Sequence, residues 1–382
     1  MSIRKFKIDV SDELLNDLKY RLIHTRWPSQ YKTSNWEYGT DLSYLQSLIS
    51  YWIDDYDWKK QERYLNQYHH YISRINELDI HFIYEKGNGP HPLPIILTHG
   101  WPDSFVRYQK LIPYLTNPAQ YGGDPNDSFD VIIPSLPGFG FSEKPGNSGI
   151  NNSAIAELWS RLMYEVLGYN KYAASGGDIG SGVTRYLAYL HPDSLIGIHL
   201  TDVGIIKTLI NDSSKRKLLT EDQNYINEWQ KWISSEGAYI SLQSTKPQSL
   251  AYGLADSPVG LAAWIIEKFH SWSDCNSFTE NKLTKDELIT NIMIYWITNT
   301  IDSACRIYYE NTHGLPNIGS IKVPTGISLF SKDIMQPPKN WVMKNLNVTY
   351  WNEVPHGGHF TSMEEPALYA NELQDFFRPY RK

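Results

Sequence analysis

Residues Gly176-Gly177-Asp178-Ile179-Gly180 carry the most chemistry per position in this chain. The run has the form of a sharp strand-to-helix turn that exposes a nucleophile, G-x-S-x-G, with a carboxylate in place of the serine. A serine there makes acyl-enzymes. An aspartate suits attack on a saturated carbon bearing a leaving group, and the covalent product is an alkyl ester of the enzyme. Gly-Gly-Asp is also common turn chemistry, so the reading depends on partners elsewhere.

A nucleophile of this kind is followed in sequence by an acid and then a histidine. After the last strand signal stands Pro355-His356-Gly357-Gly358-His359-Phe360. His359 is the candidate base, because the glycine pair lets the loop swing over the sheet edge; His356 reads as a loop histidine. Imidazole suits general-base work near neutral pH. The acid is expected after the penultimate strand, where Asp333 follows the run Gly326-Phe330; Asp302 and Glu310 are rivals in the helical span before it. Hydrolysis of an aspartyl ester passes through an oxyanion that needs backbone N–H donors. Ile179 and Trp101, the latter in the loop His99-Gly100-Trp101-Pro102, are the candidates, and His99 reads as structural.

Ordered elements must bring these positions together. Short apolar runs at Leu78-Tyr84, Pro94-Gly100, Asp130-Pro134, Lys171-Ala174, Leu195-Leu200, Val323-Leu329 and Val348-Trp351 alternate with helical patterns. That alternation predicts a mostly parallel sheet built from βαβ units. Ahead of it, helical patterns run from Ser11 (a capping residue), over Leu42-Ile53 and over Lys59-Ile72, so the sheet is expected to begin at Leu78. The strand rhythm breaks over 206–318, a span rich in Trp and Tyr, and an insertion at the carboxyl ends of parallel strands sits above the ligand crevice. The expected organisation is a helical N-terminal extension (1–75), a first part of the core (76–205), a helical lid (206–318) and a second part of the core (319–382).

Composition narrows the class. A net charge of -7 argues against nucleic acid as a partner. The basic piece Ser214-Lys215-Arg216-Lys217 reads as a solvated helix face. Two cysteines, Cys275 and Cys305, give no disulfide framework and no metal cluster and fit a reducing compartment. The N-terminus lacks the apolar core of a signal peptide, and no stretch reaches the roughly 18 apolar residues of a membrane span. A soluble, cytoplasmic protein without metal or organic cofactor is expected.

These features together resemble the microsomal-type epoxide hydrolases, a group that includes insect juvenile-hormone epoxide hydrolases and soluble microbial members. The likeness runs through Leu18-Lys19-Tyr20-Arg21-Leu22-Ile23-His24-Thr25-Arg26-Trp27-Pro28, the His99-Pro102 loop, Pro137-Gly138-Phe139-Gly140-Phe141-Ser142, Asp256-Ser257-Pro258-Val259-Gly260-Leu261-Ala262-Ala263-Trp264 and Gly357-Gly358-His359-Phe360. The resemblance implies an α/β-hydrolase fold and conversion of an apolar epoxide and water to a vicinal diol through an ester on Asp178. It also implies two lid tyrosines that hold and protonate the epoxide oxygen: Tyr239, and Tyr308 with Tyr309 as an adjacent rival. The animal members usually have tryptophan where Ile179 stands, commonly glutamate where Asp333 stands, and an N-terminal membrane anchor that finds no match here. Two other readings stay open: a haloalkane dehalogenase, which shares the nucleophile and histidine but against which the paired tyrosines argue, and a non-catalytic small-molecule binding protein on the same fold, against which the complete set Asp178, Asp333 and His359 argues.

Overall fold

Strands form where β-branched and aromatic residues cluster between turn residues. Phe129–Pro134 (β5) is buried at every position, and Leu93–Thr98 (β4) nearly so, as expected of strands covered on both faces. The protein is represented by a computed structural model, which describes residues 2–204, 218–275 and 279–381. The basic piece at 214–217 and the boundary near 206 lie outside the described residues.

Among the described residues the sheet has nine strands, in the order β1-β2-β3-β5-β4-β6-β7-β8-β9. The remaining strands are β1 (Ile3–Phe6), β2 (His70–Ile75), β3 (Leu78–Glu85), β6 (Tyr172–Gly176), β7 (Leu195–Leu200), β8 (Ile321–Lys332) and β9 (Leu346–Gly358). From β5 through β9 the pairings are parallel, while β1, β2 and β3 join as antiparallel neighbours. Helices pack on both faces, so the α/β-hydrolase architecture is as expected.

The sheet starts earlier than the sequence pattern predicts. The stretch before Leu78 holds helices Asp12–Ile23, Leu42–Asp54 and Trp58–Leu65, the first capped by the Ser11 hydroxyl, but also two strands. The expected helix over 59–72 ends at Leu65. Leu65, Tyr68, Ile72 and Ile75 fall at helical spacing and disguise the strand, which buries His70 and Ser73 alongside Ile72. β1 is a short, charged edge strand with no alternating pattern to betray it.

The two buried histidines of this added sheet edge form a fixed chain. His70 Nε2 meets the Leu65 carbonyl at 2.9 Å, so it carries the hydrogen and Nδ1 is an acceptor. His81 Nε2–H then donates to His70 Nδ1 at 2.9 Å, and the Ser135 hydroxyl donates to His81 Nδ1 at 2.8 Å. A proton on His70 Nδ1 sets its N–H against the His81 Nε2–H. Burial lowers the pKa of His70, and burial together with its neighbouring imidazoles lowers that of His81 further. The folded state therefore takes up protons later than the unfolded chain. Stability is complete above about pH 6.5 and is lost as pH falls, by up to about 1.4 kcal/mol per pH unit for each histidine. Urea midpoints between pH 7 and 5 should fall more steeply in the native protein than in His81→Gln. Parallel slopes would show that the chain does not titrate on unfolding.

Between β7 and β8 lie helices Thr220–Ser235, Ala238–Thr245, Pro247–Asp256, Pro258–Trp272, Lys285–Thr298 and Ile301–His313. They are tied to the loop after β4: Asn291 Nδ2 donates to the Pro102 carbonyl at 2.7 Å, and the Tyr295 hydroxyl to the Asp103 carbonyl at 2.6 Å. The N-terminal helices hold the same layer from outside, through Thr40 Oγ1 to the Ala263 carbonyl (2.7 Å) and Tyr51 to Asp286 (2.8 Å).

Candidate active site

β6 ends at Gly176 and helix Ile179–Leu190 begins two residues beyond Gly177, so the chain reverses at Asp178. Asp178 takes φ 57° and ψ -127°, a conformation costing a non-glycine residue about 1–3 kcal/mol. The helix is pressed so close to β4 that a Cβ at Gly180 would lie 1.9 Å from the Thr98 carbonyl oxygen. The strained turn projects the carboxylate beyond the strand ends.

Its two oxygens have different surroundings. Oδ1 accepts the Trp101 N–H at 2.7 Å, and Oδ2 lies 3.6 Å from His359 Nε2. Gly100 makes the first contact possible, since a Cβ there would stand 2.2 Å from Oδ1. Ile179 opens the helix, whose N-terminal amides favour negative charge at the turn.

His359 is buried, and its Nδ1 lies 2.8 Å from Asp333 Oδ1, which fixes the ring with Nδ1 as donor. Burial opposes a charge on the imidazole, but Asp333 and Asp178 outweigh it and raise its pKa to about 10. In the resting protein His359 is thus the cation between two carboxylates. The rivals stand elsewhere: Asp302 pairs with Lys144 at 2.8 Å, Glu310 accepts the Gly149 N–H, and His356 is exposed. His99 is buried and accepts the Leu136 N–H at 3.1 Å.

Above this group, the Tyr239 ring stacks on Trp101 with centroids 5.1 Å apart, and Tyr308 stands edge-on to both. Burial raises the pKa of each phenol well above its ordinary value. The Asp178 charge adds to this in both, and the two tyrosines act on one another. Tyr309 turns outward and stacks on His313.

Four further residues complete the site, and the sequence reading passed over them. Arg107 is buried, pairs with Asp103 and donates to the His359 carbonyl at 2.7 Å. Asp103 in turn accepts the Gly100 N–H at 2.8 Å, so one ion pair bolts the Trp101 loop to the histidine loop. Glu364 accepts N–H groups from Gly358, Phe360 and Asp274, which clamps the chain on both sides of His359; burial lifts its pKa to about 7. Asp202 accepts the Asp178 backbone N–H. Burial, then Asp333, push its pKa up to about 7 despite the opposing His359 charge. Asp202 lies two residues past β7, so a search for acids after every strand finds it; the other three carry no signal outside their folded contacts.

An aspartate on a strained strand-to-helix turn, its carboxylate gripped by a loop amide and facing an imidazole held by a second aspartate, stands beyond the strand ends of an α/β-hydrolase fold. Comparison with known proteins narrows this. Residues 3–108 match the family model described as epoxide hydrolase N terminus, and residues 94–236 match that of the alpha/beta hydrolase fold. A Stigmatella aurantiaca relative is 43% identical over 99% of this chain and 86% of its own length. Epoxide hydrolase 1 of Oryctolagus cuniculus is 37% identical, covering 98% of this chain and 88% of the relative. The crystal structure of juvenile hormone epoxide hydrolase from the silkworm Bombyx mori superposes with a TM-score of 0.89 at 28% identity, over 100% of this chain and 95% of that one. The Aspergillus niger epoxide hydrolase structure gives 0.85 at 27% identity, over 100% and 97%. The chain belongs to the epoxide hydrolase family. No single helix among the described residues is long and apolar enough to cross a membrane.

Proposed function

We propose that the protein hydrolyses an apolar epoxide to a vicinal diol through a covalent ester on Asp178. The observation that carries this is the division of labour between the two Asp178 oxygens: Oδ1 is held by the Trp101 N–H, while Oδ2 is left facing His359. Oδ2 attacks an oxirane carbon in line, and the ring oxygen takes a proton from Tyr239, with Tyr308 hydrogen-bonding beside it. The ester so formed is neutral. His359 has then lost one of the two carboxylates that hold its proton, and it returns that proton to the tyrosinate. As neutral imidazole, oriented by Asp333, it takes a proton from water, and the hydroxide adds to the ester carbonyl. The oxyanion forms where Oδ1 stood, on the Trp101 N–H and the Ile179 N–H. Collapse releases the diol and restores the resting charges. The helices between β7 and β8 act as a lid that excludes bulk water, which strengthens each of these electrostatic contacts. The rings of Trp101, Trp232 and Trp272 packed around Tyr239 favour an apolar substrate. The two cysteines fit work in the reducing cytoplasm.

Single-turnover hydrolysis in heavy-oxygen water tests the covalent step. The first diol should carry ordinary oxygen taken from Asp178, and later turnovers should carry the label. Label in the first diol would mean that water attacks the epoxide directly.

A further inference from the structure

Lysine is almost never fully buried unless it is paired. Lys268, in helix Pro258–Trp272, is 6% exposed. Its ammonium lies 2.5 Å from Glu267 Oε2 and 3.5 Å from Glu236 Oε2. The same nitrogen stands over two rings, 4.9 Å from the centroid of Tyr239 and 5.4 Å from that of Trp272. The two carboxylates are partly exposed and could hold an ammonium at the surface. The side chain instead carries its charge inward, onto the ring of Tyr239.

We propose that Lys268 is a positioning residue for proton donation: its ammonium, seated over the Tyr239 ring, stabilises the phenolate that forms as the oxirane oxygen takes the Tyr239 proton. This rests on the reading of Tyr239 given above. When Asp178 Oδ2 bonds to carbon, the C–O bond breaks and its electron pair stays on oxygen. That oxygen takes the phenol proton, and negative charge spreads into the Tyr239 ring. A cation over the ring is attracted to a neutral phenol and far more strongly to a phenolate. Only an interaction that strengthens in the transition state accelerates the step. The surroundings otherwise resist this charge: burial, Asp178, Glu236 and Glu267 push the Tyr239 pKa up, while the hydrogen bond with Tyr308 lowers it. Lys268 supplies an opposing positive charge over the ring and offsets one of the two glutamate charges.

The test separates ester formation from ester hydrolysis by rapid-quench single turnovers with styrene oxide. Lys268→Met should slow ester formation about tenfold or more, the scale of a desolvated cation–π contact. Ester hydrolysis should stay within about twofold, because the phenolate takes no part in that step, and Lys268→Arg, which keeps a cation over the ring, should recover most of the loss in ester formation. In a Tyr239→Phe background, Lys268→Met should change ester formation by less than about twofold, since a ring that never ionises gives the cation nothing further to stabilise. Glu236→Gln, which leaves the ammonium and removes an opposing charge, should speed ester formation and keeps the idea testable if Lys268→Met fails to fold. Equal slowing of both steps by Lys268→Met, an undiminished effect in the Tyr239→Phe background, or slower ester formation in Glu236→Gln would overturn the role of Lys268. Ester formation at the native rate in Tyr239→Phe alone would overturn the reading of Tyr239 on which it rests.

Discussion

Asp178→Ala should lose turnover by on the order of 10⁶-fold, the scale seen when a covalent nucleophile is deleted and only binding and oxyanion contacts remain. Among the described residues no neighbouring carboxylate is placed to substitute. Asp333 is committed to His359 Nδ1 at 2.8 Å, and Asp202 to the Asp178 backbone N–H. Glu364 is occupied by three backbone amides. The isosteric Asp178→Asn should be nearly as inactive, because an amide is a poor nucleophile, and it carries a second readout. One of the two anions that raise the His359 pKa to about 10 is then gone, so the imidazole should titrate at lower pH in this variant. NMR of the ring protons across pH 5 to 11 would follow the shift. Activity within tenfold of native in Asp178→Ala would place the nucleophile elsewhere. An unmoved His359 titration in Asp178→Asn would mean that the 3.6 Å contact does not set its charge.

The core strands were legible because burial on both faces leaves continuous apolar runs, as at Ile95-Ile96-Leu97 and Val131-Ile132-Ile133. The groups around Asp178 were legible for a different reason. A strained turn, a close backbone approach and a loop that reverses over the sheet edge each require glycine, so Gly180, Gly100 and Gly357-Gly358 bracket the reactive positions in sequence. The added edge strands β1 and β2 were not legible. β2 buries polar side chains through hydrogen bonds rather than through an alternating apolar pattern, and β1 gains its order from pairing alone. The supporting residues were hidden for a related reason. Arg107, Glu364 and Lys268 bind atoms more than 30 residues away in sequence or in another layer, and such contacts leave no spacing to read. Asp202 is the exception, since its place after β7 is a position where acids can reach the turn.

His359→Gln should stop the reaction at the ester. The first step needs Asp178 Oδ2 and the phenols above it, none of which the substitution removes, so one equivalent of epoxide should be consumed quickly. The second step loses its base, a change typically worth 10²–10⁴-fold. Intact-protein mass spectrometry should therefore find the chain heavier by one epoxide, with the added mass on the peptide bearing Asp178. Charge explains why the native histidine can serve as base despite a resting pKa near 10. In the proposed sequence alkylation neutralises Asp178 and removes one of the two carboxylates that support the imidazolium, so the proton becomes transferable once the ester exists. On the proposed mechanism the base is armed by the first step, which keeps water from being activated against a site with no ester in it. The same raised pKa has a stability consequence with a definite sign: the ion pairing contributes fully below about pH 6.5, the unfolded value, and is lost as pH rises through about 10. In His359→Gln that alkaline loss should be absent from a thermal-melt series between pH 7 and 11. Rapid diol release from this variant, with no mass increase on the protein, would remove His359 from the second step and the ester from the pathway.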